Sequence, residues 1–137
     1  MNNGHDFELH PLFPSGEWEG FYTYSTGHGR QEQMEIVLNF TNGIITGGGA
    51  DPVGSFEWTG NYDTRQETCT IIKQYHGEHS VYYTGFADEN GIWGKWNIHI
   101  SSTGHFHIWP KKKNDNEQQL AEQAEEEIVP IQVAAYA

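Results

Sequence analysis

Between residues 17 and 110 apolar and polar side chains alternate at every second position, in short runs separated by turn residues. A period of two belongs to a strand with one buried face. Eight runs are read: Glu17–Ser25, Gln33–Thr41, Ile44–Ala50, Val53–Tyr62, Glu67–Tyr75, His79–Ala87, Ile92–Ile100 and Gly104–Pro110. Asn42-Gly43 and Asn90-Gly91 between them suit two-residue type I′ hairpins, in which both central residues need φ > 0. Asp51-Pro52, Asp63-Thr64 and Ser101–Thr103 also suit turns. No helix-length segment intervenes, so neighbours run antiparallel. The predicted fold is all-β, an eight-stranded antiparallel up-and-down meander. With an even count the last strand can pair antiparallel with the first and close a barrel.

One face collects Trp18, Gly20, Tyr22 and Tyr24, then Met34, Ile36, Leu38 and Phe40, then Phe56, Trp58, Gly60 and Tyr62, then Ile92, Gly94, Trp96, Ile98 and Ile100, then Phe106 and Ile108. The other face holds Glu17, Glu19, Glu35, Asn39, Glu57, Asn61, Lys95 and Asn97. The first face is assigned to the interior. The Asn42-Gly43 turn sets Phe40 opposite Ile45, Leu38 opposite Gly47 and Ile36 opposite Gly49, each pair on one face. A loop over Asp63–Gln66 sets Tyr62 opposite Glu67, Gly60 opposite Cys69, Trp58 opposite Ile71 and Phe56 opposite Lys73. Inward glycines at 20, 47, 49, 60, 85 and 94 relieve crowding where a small barrel coils sharply.

Composition narrows the class. The chain has 137 residues, and 14% aromatics with 16 glycines suit a folded β domain rather than a disordered chain. Three parts are distinguished: an irregular lead-in over 1–16, the barrel over 17–110, and a tail over 111–137 that begins Lys-Lys-Lys and then turns acidic. A net charge of −12 argues against nucleic acid and anionic membranes as partners. No apolar run is long enough to cross a bilayer. The N-terminus lacks the basic and apolar regions of a signal peptide, and a single cysteine, Cys69, fits a reducing compartment. A cytoplasmic location is therefore expected.

Gly16-Glu17-Trp18 at the first strand and Pro110-Lys111 after the last resemble the calycin barrels, the lipocalins, fatty-acid-binding proteins and avidins. The short strands are most similar to avidin proportions, although no avidin biotin-binding set can be matched to residues here. The resemblance implies that Trp18 packs at the closed end of the barrel with Lys111 across it, and that the role is to bind a small molecule.

A ligand site is expected at the end away from Trp18, under the Gly-rich loop Thr26–Glu32. Tyr22, Tyr24, Met34, Phe56, Lys73, Tyr75, Val81 and Tyr83 are the interior residues nearest that mouth, with His28, Arg30, Asp51, His76 and His79 within reach on loops. Of these, Tyr22, Tyr24, His28, Met34, Phe56, Lys73, Tyr75, His79 and Tyr83 form the candidate binding set. Phenols around a cation suit an apolar or aromatic ligand, or an anionic one. Lys73 is the informative residue: an inward lysine must be paired, hydrated or snorkelling. It either touches ligand or holds its ammonium in water at the rim.

Metal and catalytic signals are weak. The register places His99 opposite His105 and Asn97 opposite His107 on the outside, two ligands where zinc takes three or four. His28, His76 and His79 form a second trio at the mouth. Haem on a single histidine is a lesser alternative, non-covalent because no CxxCH is present. No hydrolase, metalloprotease or nucleotide motif occurs. A small isomerase- or cyclase-type enzyme using Tyr and Lys at the mouth is the remaining catalytic alternative. No catalytic residue, metal or cofactor is assigned.

Several outward residues break the polar pattern: Phe21, Ile44, Ile72, Tyr82, Phe86, Trp93 and Trp109. Phe21, Phe86, Trp93 and Trp109 lie on adjoining strands of a closed barrel and mark an interface. A homo-oligomer could cover them. So could the tail, where Asp115 can cap a helix over 116–127 with Leu120, Ala124 and Ile128 on one stripe. The alternative function is thus an interaction barrel with a filled interior.

Overall fold

A computed structural model describes residues 7–26, 29–98 and 102–112. Eight strands follow one another: β1 (Gly16–Tyr24), β2 (Glu32–Thr41), β3 (Ile44–Asp51), β4 (Gly54–Asp63), β5 (Thr68–Tyr75), β6 (Ser80–Asp88), β7 (Gly91–Ile98) and β8 (Ser102–Pro110). Each pairs antiparallel with its neighbour, and β1 pairs with β8 from Trp18↔Pro110 to Tyr24↔Gly104, which closes the barrel. Among the described residues there is no helix, and no helix long and apolar enough to cross a membrane.

The alternation becomes burial directly. In β2, Met34, Ile36, Leu38 and Phe40 are buried and the residues between them are not. The Asn42-Gly43 turn has the positive φ at both positions that its sequence demands, 52° and 82°, and it sets Phe40↔Ile45, Leu38↔Gly47 and Ile36↔Gly49 as expected. Gly49 sits so close to β2 that a Cβ would collide with the Glu35 carbonyl oxygen.

One turn and two registers differ from expectation. The tight turn between β6 and β7 is Glu89-Asn90, with Asp88 paired to Gly91, so Gly91 opens β7 and Asn90 lacks the positive φ expected of an Asn90-Gly91 type I′ turn. β4 and β5 pair Tyr62↔Cys69, Gly60↔Ile71, Trp58↔Lys73 and Phe56↔Tyr75, not Phe56 with Lys73. The cause is the turn. Asp63 Oδ1 accepts from the amides of Arg65 and Gln66 at 2.8 and 2.9 Å. The Glu67 amide then closes on the Asp63 carbonyl at 2.8 Å, with Glu67 at φ 59°. The loop thus spans 64–67, one residue later, and the pairing slides by two. β7 and β8 pair Asn97↔Thr103, Lys95↔His105 and Trp93↔His107. His105 faces Lys95 rather than His99, which lies outside the described residues, and the expected histidine pair gives way to a lysine beside a histidine.

The lead-in is irregular yet packed. Phe13 is fully buried at the Trp18 end, its ring 5.5 Å from Phe40 and 4.9 Å from Tyr62. The Glu8 amide donates to the Phe40 carbonyl at 2.8 Å, and the Tyr62 hydroxyl donates to Glu8 at 2.6 Å. The Ser15 hydroxyl accepts from the Phe40 amide at 2.9 Å. Residues 8–15 therefore plug this end, a role the sequence reading missed because no periodicity marks it. The expected helix over 116–127 lies outside the described residues.

Candidate ligand-binding site at the barrel mouth

At the opposite end β3 finishes in Asp51, whose carboxylate serves two structures. Oδ1 accepts from the Val53 and Gly54 amides at 2.9 and 3.3 Å, shaping the turn. Oδ2 points into the barrel and meets the Lys73 ammonium at 2.6 Å, with both side chains fully buried. The same oxygen accepts from the Tyr75 hydroxyl at 2.5 Å. Lys73 also donates to the Tyr75 oxygen at 3.2 Å and to Met34 sulfur at 3.3 Å. An ammonium has three donors, and all three have partners here. The rim position in water is thereby corrected: the lysine is paired within the barrel.

Four rings surround this ammonium. It lies 4.4 Å from the Phe56 centroid, 4.8 Å from Tyr22, 5.0 Å from Tyr75 and 5.5 Å from Tyr83. Each is within cation–π range. The barrel thus carries its own cation in an aromatic cage, and Met34, Phe56 and Lys73 fill the interior beneath the mouth.

Burial pushes the Lys73 pKa down to about 8, against the Asp51 carboxylate, which favours the charged form. Burial, with the Asp51 carboxylate next, holds the Tyr22 phenol well above its ordinary value. Tyr75 is raised by burial and by its bond to Asp51, and Tyr83 chiefly by burial. These phenols remain protonated through the neutral range.

Above the cage a cavity of about 80 Å³ opens to solvent. Tyr22, Tyr75 and Tyr83 form its lower wall, Tyr24, Trp96, Val81 and Ile98 its sides, and Val53 and His79 its rim. The rings brace one another: Tyr24 stands edge-on to Trp96 at 5.1 Å and to Tyr22 at 6.0 Å, and His79 lies 5.3 Å from Tyr75. The Trp96 indole N–H donates to the Thr23 carbonyl at 2.9 Å, which fixes its ring against β1.

The structure brings five of the nine candidate residues (Tyr22, Tyr24, Tyr75, His79 and Tyr83) to this cavity. Met34, Phe56 and Lys73 lie below it, and His28 lies outside the described residues. Arg30 is turned to Glu32 at 3.3 Å, and His76 shares a hydrogen bond with the Ser55 hydroxyl at 2.9 Å. Trp96, Ile98 and Val53 join the wall; the alternation had placed the first two inside, but the mouth set omitted them. At the far end Trp18 is buried and its indole N–H donates to the Pro14 carbonyl at 2.9 Å. Lys111 extends its ammonium to Glu35 at 3.8 Å. On the outer wall Phe21 lies 6.0 Å from Trp109, and Phe86 lies 5.6 Å from Trp93. Cys69 is buried and its thiol is pushed up to about 12 by that burial, the condition of an inert side chain. Comparison of the chain with protein-family models, with curated proteins and with solved structures finds no match.

Proposed function

We propose that the barrel is a non-enzymatic binding module that takes a small, flat, uncharged ligand, about one ring in size, at its mouth. The observation that carries this is the ring-walled cavity over a filled floor. About 80 Å³ is far below the roughly 300–1,000 Å³ of drug-sized sites. It is about half the roughly 150 Å³ of an apolar cavity that takes up benzene. A ring therefore enters by one edge and leaves the other in solvent. The choice of an uncharged ligand follows from the floor: Lys73 has no free N–H for an anion, and the inward Asp51 oxygen is already taken by Lys73 and Tyr75 rather than open to a cation. The phenol hydroxyls and the His79 imidazole offer hydrogen bonds to one polar substituent. A haem is far too large for this space. The Lys73–Asp51–Tyr75 cluster is internally satisfied, which favours a structural role over proton transfer. The calycin resemblance points the same way at the level of broad role.

The test is titration with phenol, indole and benzoate, following the Trp96 indole N–H resonance. Saturable shifts with phenol or indole, weakened by Tyr24→Ala, support the reading. No shift, or tighter binding of benzoate, overturns it.

A further inference from the structure

A second concavity, of about 560 Å³, lies outside the barrel where β1, β8 and β7 adjoin. Phe21, Trp93, His107 and Trp109 supply its rings, with Asp88 and Asn90 at its edge. The polar edges of these rings are tied down. The Trp93 indole donates to Asp88 at 3.0 Å and the Trp109 indole to Glu19 at 3.3 Å. His107 is bonded to the Asn90 carbonyl at 2.7 Å. Phe21 is held edge-on between His107 and Trp109. The ring faces are left for an apolar partner, and Trp93 is 43% exposed. A preorganised apolar surface of this kind marks an interaction site.

The chain that leaves β8 bears on what covers it. β8, which carries His107 and Trp109, runs out through Lys111, whose amide is still bonded to the Glu17 carbonyl at 2.8 Å. Residues 113–137 follow directly. A segment tethered this close is present at an effective concentration on the order of millimolar. Residues 113–127 alone span up to about 50 Å when extended, at ~3.3 Å per residue. That exceeds the roughly 30 Å length of a nine-residue strand such as β8. Ile128-Val129-Pro130-Ile131-Gln132-Val133 is uncharged and apolar, and Pro130 favours an extended chain, the form that lies in ring-lined grooves. The acids Glu125–Glu127 just before it suit Lys95 and His105, cross-strand partners on this face. We propose that residues 128–133 of this same chain occupy the groove, so that the tail covers the aromatic face of its own barrel.

The test uses the full chain with Ala135→Cys carrying a nitroxide; buried Cys69 takes no label. The indole resonances of Trp93 and Trp109 are expected to lose intensity several-fold relative to that of Trp58, on the far side in β4. The loss should persist when the labelled protein is diluted into excess unlabelled protein, and Ile131→Asp should relieve it. Undiminished Trp93 and Trp109 signals overturn the proposal. A loss that vanishes on dilution overturns it in favour of a second copy's tail, and one that survives Ile131→Asp shows that the apolar segment is not what docks.

Discussion

The Lys73 ammonium and the Asp51 carboxylate meet at 2.6 Å with neither side chain exposed to solvent. Two charges taken out of water are stable only while each has the other. Lys73→Met or Asp51→Asn alone should cost about 3–5 kcal/mol, because each leaves an uncompensated charge. The double variant should cost clearly less than the sum, since neither charge remains. Urea denaturation of the four proteins gives the cycle; strictly additive costs would show that the pair is not coupled.

The same pair predicts a pH dependence. Folding lowers the Lys73 pKa from its ordinary 10.5 to about 8. Between those values the unfolded chain binds more protons than the folded one, so this group makes stability rise with pH across that window and contributes no slope below it. The raised phenols Tyr22, Tyr62, Tyr75 and Tyr83, and the raised Cys69 thiol, act oppositely from about pH 9 upward. They are common to wild type and Lys73→Met. From pH 8 to 10.5 the stability difference between these two proteins should therefore shift in favour of wild type. A difference that stays constant over that range contradicts the assignment.

Two buried tryptophans differ in one hydrogen bond. Trp18 and Trp58 are equally enclosed, but the Trp18 indole N–H has the Pro14 carbonyl while that of Trp58 has no partner among the described residues. Replacement by Phe removes similar volume from both. Trp18→Phe also loses a bond, whereas Trp58→Phe removes an unsatisfied donor. Trp18→Phe should be the costlier by about 1–3 kcal/mol in thermal or chemical unfolding. Equal costs would mean that the Trp58 donor is satisfied in solution.

Phe13 tests the plug. Its ring is enclosed by Phe40 and Tyr62, and Phe13→Ala should cost about 3–5 kcal/mol, as for a core residue. A loss below 1 kcal/mol would place the lead-in outside the cooperative unit.

The inside and outside of the barrel were legible because a two-residue period assigns faces without any knowledge of pairing. That same property hid the register. A slide of two residues, as between β4 and β5, keeps every side chain on its face, so the alternation cannot detect it. Only the turn can, and there Asp63 stays in β4 while Glu67 takes a left-handed conformation that nothing about glutamate foretells. Lys73 was recognised as an inward cation needing a partner. Asp51 reads both as a turn former and as a loop residue within reach of the mouth; one carboxylate oxygen does each job, but no sequence pattern pairs it with Lys73, 22 positions away. Phe13 left no trace in the pattern, since a plug follows the shape of the hole rather than a period.

Closure of the sheet has one more consequence. The Lys111 amide bonds to the Glu17 carbonyl, so the chain leaves the barrel beside the point where it enters. Seven of the eight strand pairings are made by neighbours in sequence, and the eighth joins the two ends. Strand order is thus fixed around a ring, while the starting strand is arbitrary. A linker from the end of β8 to the start of the lead-in, with new termini cut in the exposed Glu89-Asn90 turn between β6 and β7, preserves every neighbour relationship in the barrel and moves the longest-range closure from β1–β8 to β6–β7.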